Sequence, residues 1–310
     1  MRFETISIRS MLGLRFRDAT TERPVTNGLR VTVRRKNGAG RPTRAVRTVS
    51  GAYVAQGLAG LRPHERSSER VPEEAVPYVV EVRDPRGRFV PVLLEVELPY
   101  PPEQKHGGLY PVADPPSEEQ VEGNGTPEPT VYLFSTIQRP VASGQAVLYA
   151  DLVVEGQNDE LQPAAHAVME VRHAPNADGS GGAADGDPNR KEVWYGIADA
   201  EGRVAVQFPV PLVQLAGSSN GAEGGLSTLS DRTWQLDVGI RYEPSALRTS
   251  LQASRPPLTK IFGQFPGVLY KTPDGEGRDT LTPTLSYAEP LTLSTGDRSV
   301  LRIGPSSADP

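Results

Sequence analysis

The run Val147-Leu148-Tyr149-Ala150-Asp151-Leu152-Val153 decides the fold of this chain, with the three segments that follow it. These are Ala165-His166-Ala167-Val168-Met169-Glu170-Val171-Arg172, Trp194-Tyr195-Gly196-Ile197-Ala198 and Arg203-Val204-Ala205-Val206-Gln207-Phe208. β-Branched and aromatic residues of this kind fit a pleated, half-buried surface. Apolar side chains recur at every second position, at Val204, Val206 and Phe208 and again at Ala165, Ala167, Met169 and Val171. That period gives each strand one buried face. Pro163-Ala164 leads into the second segment, and Asp199-Ala200-Glu201-Gly202 separates the last two. In such a turn the Asp carboxylate accepts a hydrogen bond from the backbone two residues on. The Gly takes a positive φ without a Cβ clash.

The N-terminal third repeats this grammar. Leu14-Arg15-Phe16-Arg17-Asp18 runs through Arg23-Pro24-Val25 to Leu29-Arg30-Val31-Thr32-Val33-Arg34, and Asp84-Pro85-Arg86-Gly87 turns into Arg88-Phe89-Val90. Two further stripes alternate, Val92/Leu94/Val96/Leu98 with Leu93, Glu95 and Glu97, and Trp234/Leu236/Val238/Ile240/Tyr242 with Gln235, Asp237, Gly239 and Arg241. Late strands are expected at 291–293 and 300–303. Helical spacing is confined to two short candidates, 65–70 and 258–262. Residues 99–129 are rich in Pro, Glu and Gly and read as a boundary. Residues 174–190 and 216–230 read as Gly-rich loops, and 243–286 as an irregular excursion. The expected fold is all-β, with two antiparallel β-sandwiches of immunoglobulin-like or transthyretin-like kind. One covers 1–98 and the other 130–310, with 99–129 linking them.

Composition agrees with that reading. The 31 Gly and 30 Pro in 310 residues suit many turns and few helices. A net charge of −5, with both signs interspersed along the chain, offers no basic stripe for a phosphate backbone, so no nucleic-acid partner is expected. The densest basic run, Arg34-Arg35-Lys36, reads as a solvated hairpin tip. There is no Cys, which excludes disulfides, thiolate metal sites and cysteine nucleophiles. No stretch of 18 apolar residues occurs, so no membrane span is expected. The first ten residues lack a signal peptide's apolar segment, which points to the cytoplasm or to export inside a larger assembly.

No coherent chemical site emerges. His64 and His106 fall in loop-like sequence. His166 is placed on an outer sheet face, and His173 where its strand gives way to a loop. None has metal-ligand spacing. Gly179-Ser180-Gly181 and Gly217-Ser218-Ser219 lie in flexible sequence and do not make a nucleophile elbow. Asp178, Asp185 and Asp187 could offer oxygens to Ca²⁺, but their spacing departs from the calcium-loop pattern. The pairs Glu73-Glu74 and Glu118-Glu119 are adjacent in loop sequence and imply no carboxylate dyad. The expectation is therefore no catalytic residue, no cofactor, no metal and no enzyme.

Residues 147–208 resemble the carboxypeptidase-regulatory-like and bacterial immunoglobulin-like modules. The resemblance rests on Asp151, Pro163-Ala164, Ala198-Asp199, Gly202, Arg203 and Val204, and in the first half on Asp18, Pro24-Val25, 50–53 and Gly57-Leu58. It implies a fold and little about function. The whole arrangement is also similar to two-domain proteins that accompany phage-tail-like contractile injection systems. Leu12-Gly13-Leu14-Arg15-Phe16-Arg17-Asp18, Gly87-Arg88-Phe89-Val90-Pro91, Val131-Tyr132-Leu133-Phe134-Ser135 and 196–204 carry that likeness. It implies a structural subunit, a cap, cap adaptor or baseplate-associated part, with tube, sheath or cap proteins as partners. The alternative is a carbohydrate- or surface-binding sandwich, for which Trp194, Tyr195, Trp234 and Tyr242 are the candidate platforms.

Overall fold

The computed structural model describes residues 12–38, 41–59, 75–98, 130–156, 160–173, 193–210, 233–247, 255–273 and 275–305. The chain divides into two compact units. The first gathers Met1–Asp18, Glu22–Leu133 and Thr249–Phe262; the second gathers Ala19–Thr21, Phe134–Arg248 and Gly263–Pro310. The expected break at 98/130 therefore moves. Residues 130–133 belong with the first unit, because they extend its sheet, and so does the segment around 258–262.

In the first unit, one sheet has the order β4 (Val46–Arg47), β5 (Tyr53–Ala55), β1 (Leu12–Asp18), β8 (Thr130–Leu133). The other has the order β3 (Thr43–Arg44), β2 (Arg30–Arg35), β6 (Val76–Arg83), β7 (Val92–Leu98). β1 shows the alternation its sequence demands: Leu12, Leu14 and Phe16 are buried, while Arg15 and Arg17 are exposed. Phe16 meets the Tyr53 ring edge-on at 5.4 Å between centroids. Val31, Val33, Val80, Val82, Leu94 and Val96 fill the facing side. Burying each such side chain stabilises by about 1.5–3 kcal/mol. The expected helix forms at α1 (Leu258–Phe262), after Pro256-Pro257. Leu258, Ile261 and Phe262, at spacings of three and four, share one buried face, and α1 packs against β7.

The second unit is built on β9 (Gln145–Glu155). Its first half pairs with β13 (Arg203–Pro209) and, in parallel, with β18 (Leu291–Leu293). Its second half pairs with β10 (Leu161–Pro163) and, in parallel, with β19 (Leu301–Pro305), which carries β15 (Gly267–Leu269). The opposing sheet runs β12 (Val193–Ile197), β11 (Val168–His173), β14 (Thr233–Arg241), with β16 (Thr280–Leu281) and β17 (Thr284–Ser286) along β14. Leu148, Met169, Val171, Val204, Val206, Phe208, Leu236 and Val238 share one core. The fold is all-β as expected. Most pairings are antiparallel, and β1–β8, β9–β18 and β9–β19 are parallel.

Two local expectations need correction. Residues 165–167 are not strand. Ala164 and Ala167 are buried, and the chain turns between them with His166 at φ 63°. His166 is thus a turn residue and not part of an outer sheet face. The Asp199 turn, expected as a hairpin, joins β12 and β13, which pair with different partners in opposite sheets. It is an arch across the sandwich. The expected helix at 65–70 lies outside the described residues.

Candidate functional site

The best-defined polar geometry in the molecule belongs to the two Asp turns. At the first, Arg86 N–H donates to Asp84 Oδ1 (3.1 Å), and Arg88 donates to Oδ2 from both its backbone N (3.1 Å) and its Nε (2.7 Å). At the second, Glu201 N–H (3.0 Å) and Arg203 N–H (2.9 Å) donate to Asp199 Oδ1, and Arg203 Nε donates to Oδ2 (3.0 Å). Gly87 and Gly202 hold φ of 69° and 80°. Each carboxylate is filled by its own turn. Burial alone would raise the Asp84 carboxyl, but the Arg88 side chain and the Arg86 and Arg88 amides outweigh it and hold the group below the ordinary carboxylate range.

His173 ends β11 against the aromatic end of the second core. Its ring meets Trp194 edge-on at 5.2 Å and Phe208 at 6.2 Å, and burial pushes its pKa down. Its Nε2 has no hydrogen-bond partner, so the neutral ring is the favoured form. His64 and His106 lie outside the described residues. So do Asp178, Asp185, Asp187, the two Glu pairs and the Gly/Ser segments. Among the described residues, no group of His, Asp or Glu could hold a metal ion.

The aromatic candidates are mostly packed. Trp194 is 9% exposed and stacked on Phe208 at 5.0 Å, and Tyr242 is buried. Tyr195 is half-buried, and burial followed by the Glu170 charge raises its pKa. Trp234 is half-buried and tilted against Tyr287 at 6.3 Å. Two hollows, one in each unit, reach about 200 Å³ beside Val141, Tyr149 and Pro290 and about 250 Å³ beside Arg30, Glu81 and Arg83. Both fall below the ~300–1,000 Å³ of ordinary small-molecule sites.

Charge supplies a feature that reading along the chain did not reveal. Over their full ranges the first unit holds 21 Arg and Lys against 17 Asp and Glu, a net +4, and the second 12 against 21, a net −9. Residues 1–98 alone hold 18 against 11, so the asymmetry is a property of the sequence that local interspersion masks. No helix among the described residues is long and apolar enough to cross a membrane.

No protein-family profile and no curated protein matches this sequence. Among solved structures, the chain is similar to a candidate adhesin from Bacteroides ovatus (10% identity, 100% of both chains, TM-score 0.22). It is also similar to a minor pilin from Streptococcus agalactiae (8% identity, 96% of this chain and 99% of that one, TM-score 0.21). A third is a streptococcal ancillary pilin (10% identity, 94% and 68%, TM-score 0.21). Likeness at this level transfers no residue and no activity.

Proposed function

We propose that this chain is a non-catalytic contact protein, a two-unit β-sandwich scaffold that works by recognising another surface. One observation carries this reading. The carboxylates with the best-defined geometry, Asp84 and Asp199, have their acceptor oxygens occupied by the backbone and arginine of their own turns. A general base must lie within reach of a substrate proton, whereas each of these two carboxylates accepts three hydrogen bonds from its own turn. Asp18 and Glu170 are also buried, and most of the remaining charge among the described residues lies on exposed or half-exposed surfaces, where it serves recognition.

A second reading makes the chain a fixed subunit of a contractile particle, touching tube, sheath or cap proteins. It rests on the sequence likeness at 12–18, 87–91, 131–135 and 196–204. Repetition around a ring would let modest contacts hold such a subunit. One experiment tests both. The tagged full-length chain is recovered from its native host and sized. A contact protein co-elutes with a partner in fixed ratio or is displayed on a surface, and a particle subunit sediments with large assemblies. A free monomer with reproducible turnover of a hydrolase substrate overturns both.

A further inference from the structure

We infer that the strip 41–49 at one edge of the first sandwich is a docking site for an extended polypeptide segment in which acidic and apolar residues alternate. The inference rests on the contact-protein reading and names the partner's chemistry.

The strip crosses from one sheet to the other. β3 pairs with β2 and β4 with β5, and each ends its sheet among the described residues. Ala45 is the buried crossing point, its N–H donating to Val31 O at 2.9 Å. On either side no described strand pairs with the outer edge, the template that a further strand satisfies. The side chains there combine two chemistries. Val46, on β4, is 70% exposed and Val49, in the turn from β4 to β5, wholly so, unusual for β-branched apolar residues. Arg41, Arg44 and Arg47 are exposed and have no acidic partner among the described residues.

The basic character continues behind the strip. Arg44 lies opposite Thr32, and Arg30 lies opposite Arg83, so these residues share the sheet's outer face around the hollow lined by Arg30, Thr32, Pro42, Glu81 and Arg83. Glu81, the one acid there, is already paired with Arg83. Farther along that face Arg255 donates to Pro91 O at 2.9 Å and leaves its buried Nε without a partner.

The mixture selects the occupant. Arginine matches carboxylates with a planar fork. A single-stranded nucleic acid needs aromatic faces to stack on; Phe16, Tyr53, Tyr78 and Phe89 of this unit are buried, and the half-exposed Tyr132 lies on β8, at the other end of the sheet from β4. An acidic glycan or a duplex would use the arginines and leave the two valines idle. A strand of alternating acidic and apolar residues uses the arginines, the valines and the open backbone together. The competing account is that arginines merely guard the edge against aggregation, but a guarded edge does not display Val46 and Val49.

The test uses the full-length chain and a fluorescent octapeptide of alternating Glu and Val, with octa-glutamate, heparin and a short DNA duplex as controls. The octapeptide is expected to bind more tightly than any control, with affinity falling as salt rises. Binding should weaken at least tenfold in Arg44→Glu/Arg47→Glu and severalfold in Val46→Ser/Val49→Ser. All four side chains are exposed, so these variants should melt with the wild type. In the wild type, the peptide should slow amide exchange at Arg47, whose N–H points away from β5, a readout independent of any variant. Equal binding of octa-glutamate, tighter binding of heparin or the duplex, or no change in Val46→Ser/Val49→Ser overturns the inference. So does failure to bind any acidic probe. None of these outcomes touches the contact-protein reading, which the native-host recovery decides.

Discussion

The same five-residue turn does two different jobs in this molecule. At Asp84 it closes β6 onto β7 within one sheet, Val82 facing Val92. At Asp199 it carries the chain from β12 in one sheet to β13 in the other. The hydrogen bonds nearly coincide, yet the surroundings differ. The Asp84 side chain is 0% exposed and that of Asp199 28%. Gly202 sits under the arch, where a Cβ would stand 2.4 Å from Leu152 O. A turn motif therefore specifies a change of direction, and the core beneath it decides whether the returning strand pairs or crosses.

The largest effect should come from the core that the arch spans. Phe208 is fully buried at the far end of β13 and stacks on Trp194. Phe208→Ala is expected to cost about 3–5 kcal/mol, as emptying an aromatic core site does. A chemical denaturation curve measures it. A variant that unfolds with the wild type would put β13 one residue out of register and remove the arch.

The glycines separate the two turns more directly. Gly87→Ala should cost about 1–2 kcal/mol, the strain of a left-handed L-residue. Gly202→Ala adds a backbone collision and should cost about 2–4 kcal/mol. Equal costs in paired thermal melts would show that the arch relaxes as freely as the hairpin.

Much of this was legible in sequence because period-two apolar patterning survives any topology. Val204/Val206/Phe208 and Leu236/Val238/Ile240 alternate whether they pair or face each other, and they do share a core, although β13 is buried on both faces, with Ala205 and Gln207 covered as well. The five residues of α1 were legible from Pro256-Pro257 and one apolar face. Partnership was not legible. Nothing in Val131-Tyr132-Leu133 says that it lies parallel to β1, where Val131 pairs with Phe16, 115 residues upstream. The basic strip was hidden for the same reason, since Arg30, Arg44 and Arg83 converge only through strand pairing.

The pH response should divide along the same line as the turns. Asp84 has a folded pKa below its unfolded value, so its contribution is complete above the unfolded carboxylate pKa of ~3.9 and is lost as pH falls through the folded value. His173 has a folded pKa lowered by burial. Its neutral form is native, so stability declines as pH drops below the unfolded imidazole pKa of ~6.5 and levels off below the folded one. Asp84→Asn should cost about 1.5–3 kcal/mol at neutral pH and flatten only the acid limb. Asp199→Asn, at a more exposed site, should cost about 0.5–1 kcal/mol. His173→Leu should flatten only the near-neutral slope. Denaturant midpoints from pH 3 to pH 8 test this, and a His173→Leu variant that keeps the near-neutral slope would place its source elsewhere.

The smallest effect concerns one strand entry in each unit, into β2 and into β11. In the first, Gly28 takes φ 83° just before β2; in the second, His166 takes φ 63° just before β11. Glycine adopts that region freely, whereas an L-residue pays roughly 1–2 kcal/mol there, less for His than for a β-branched side chain. His166→Gly keeps the backbone bonds, His166 N–H to Ala198 O (3.2 Å) and Gln264 Nε2 to His166 O (2.9 Å). It relieves the strain but gives the unfolded chain more freedom, and these two backbone terms by themselves favour glycine by about 0.5 kcal/mol. The mirror change, Gly28→Ala, should lose about 1 kcal/mol, since its Cβ meets only the mobile end of Arg88 at 3.2 Å. Opposite signs in paired melts would establish that both crossings demand the same left-handed residue. A loss in His166→Gly would mean that the imidazole's own contacts outweigh the backbone strain, and that the second unit holds this crossing by side-chain bonding where the first holds it by glycine.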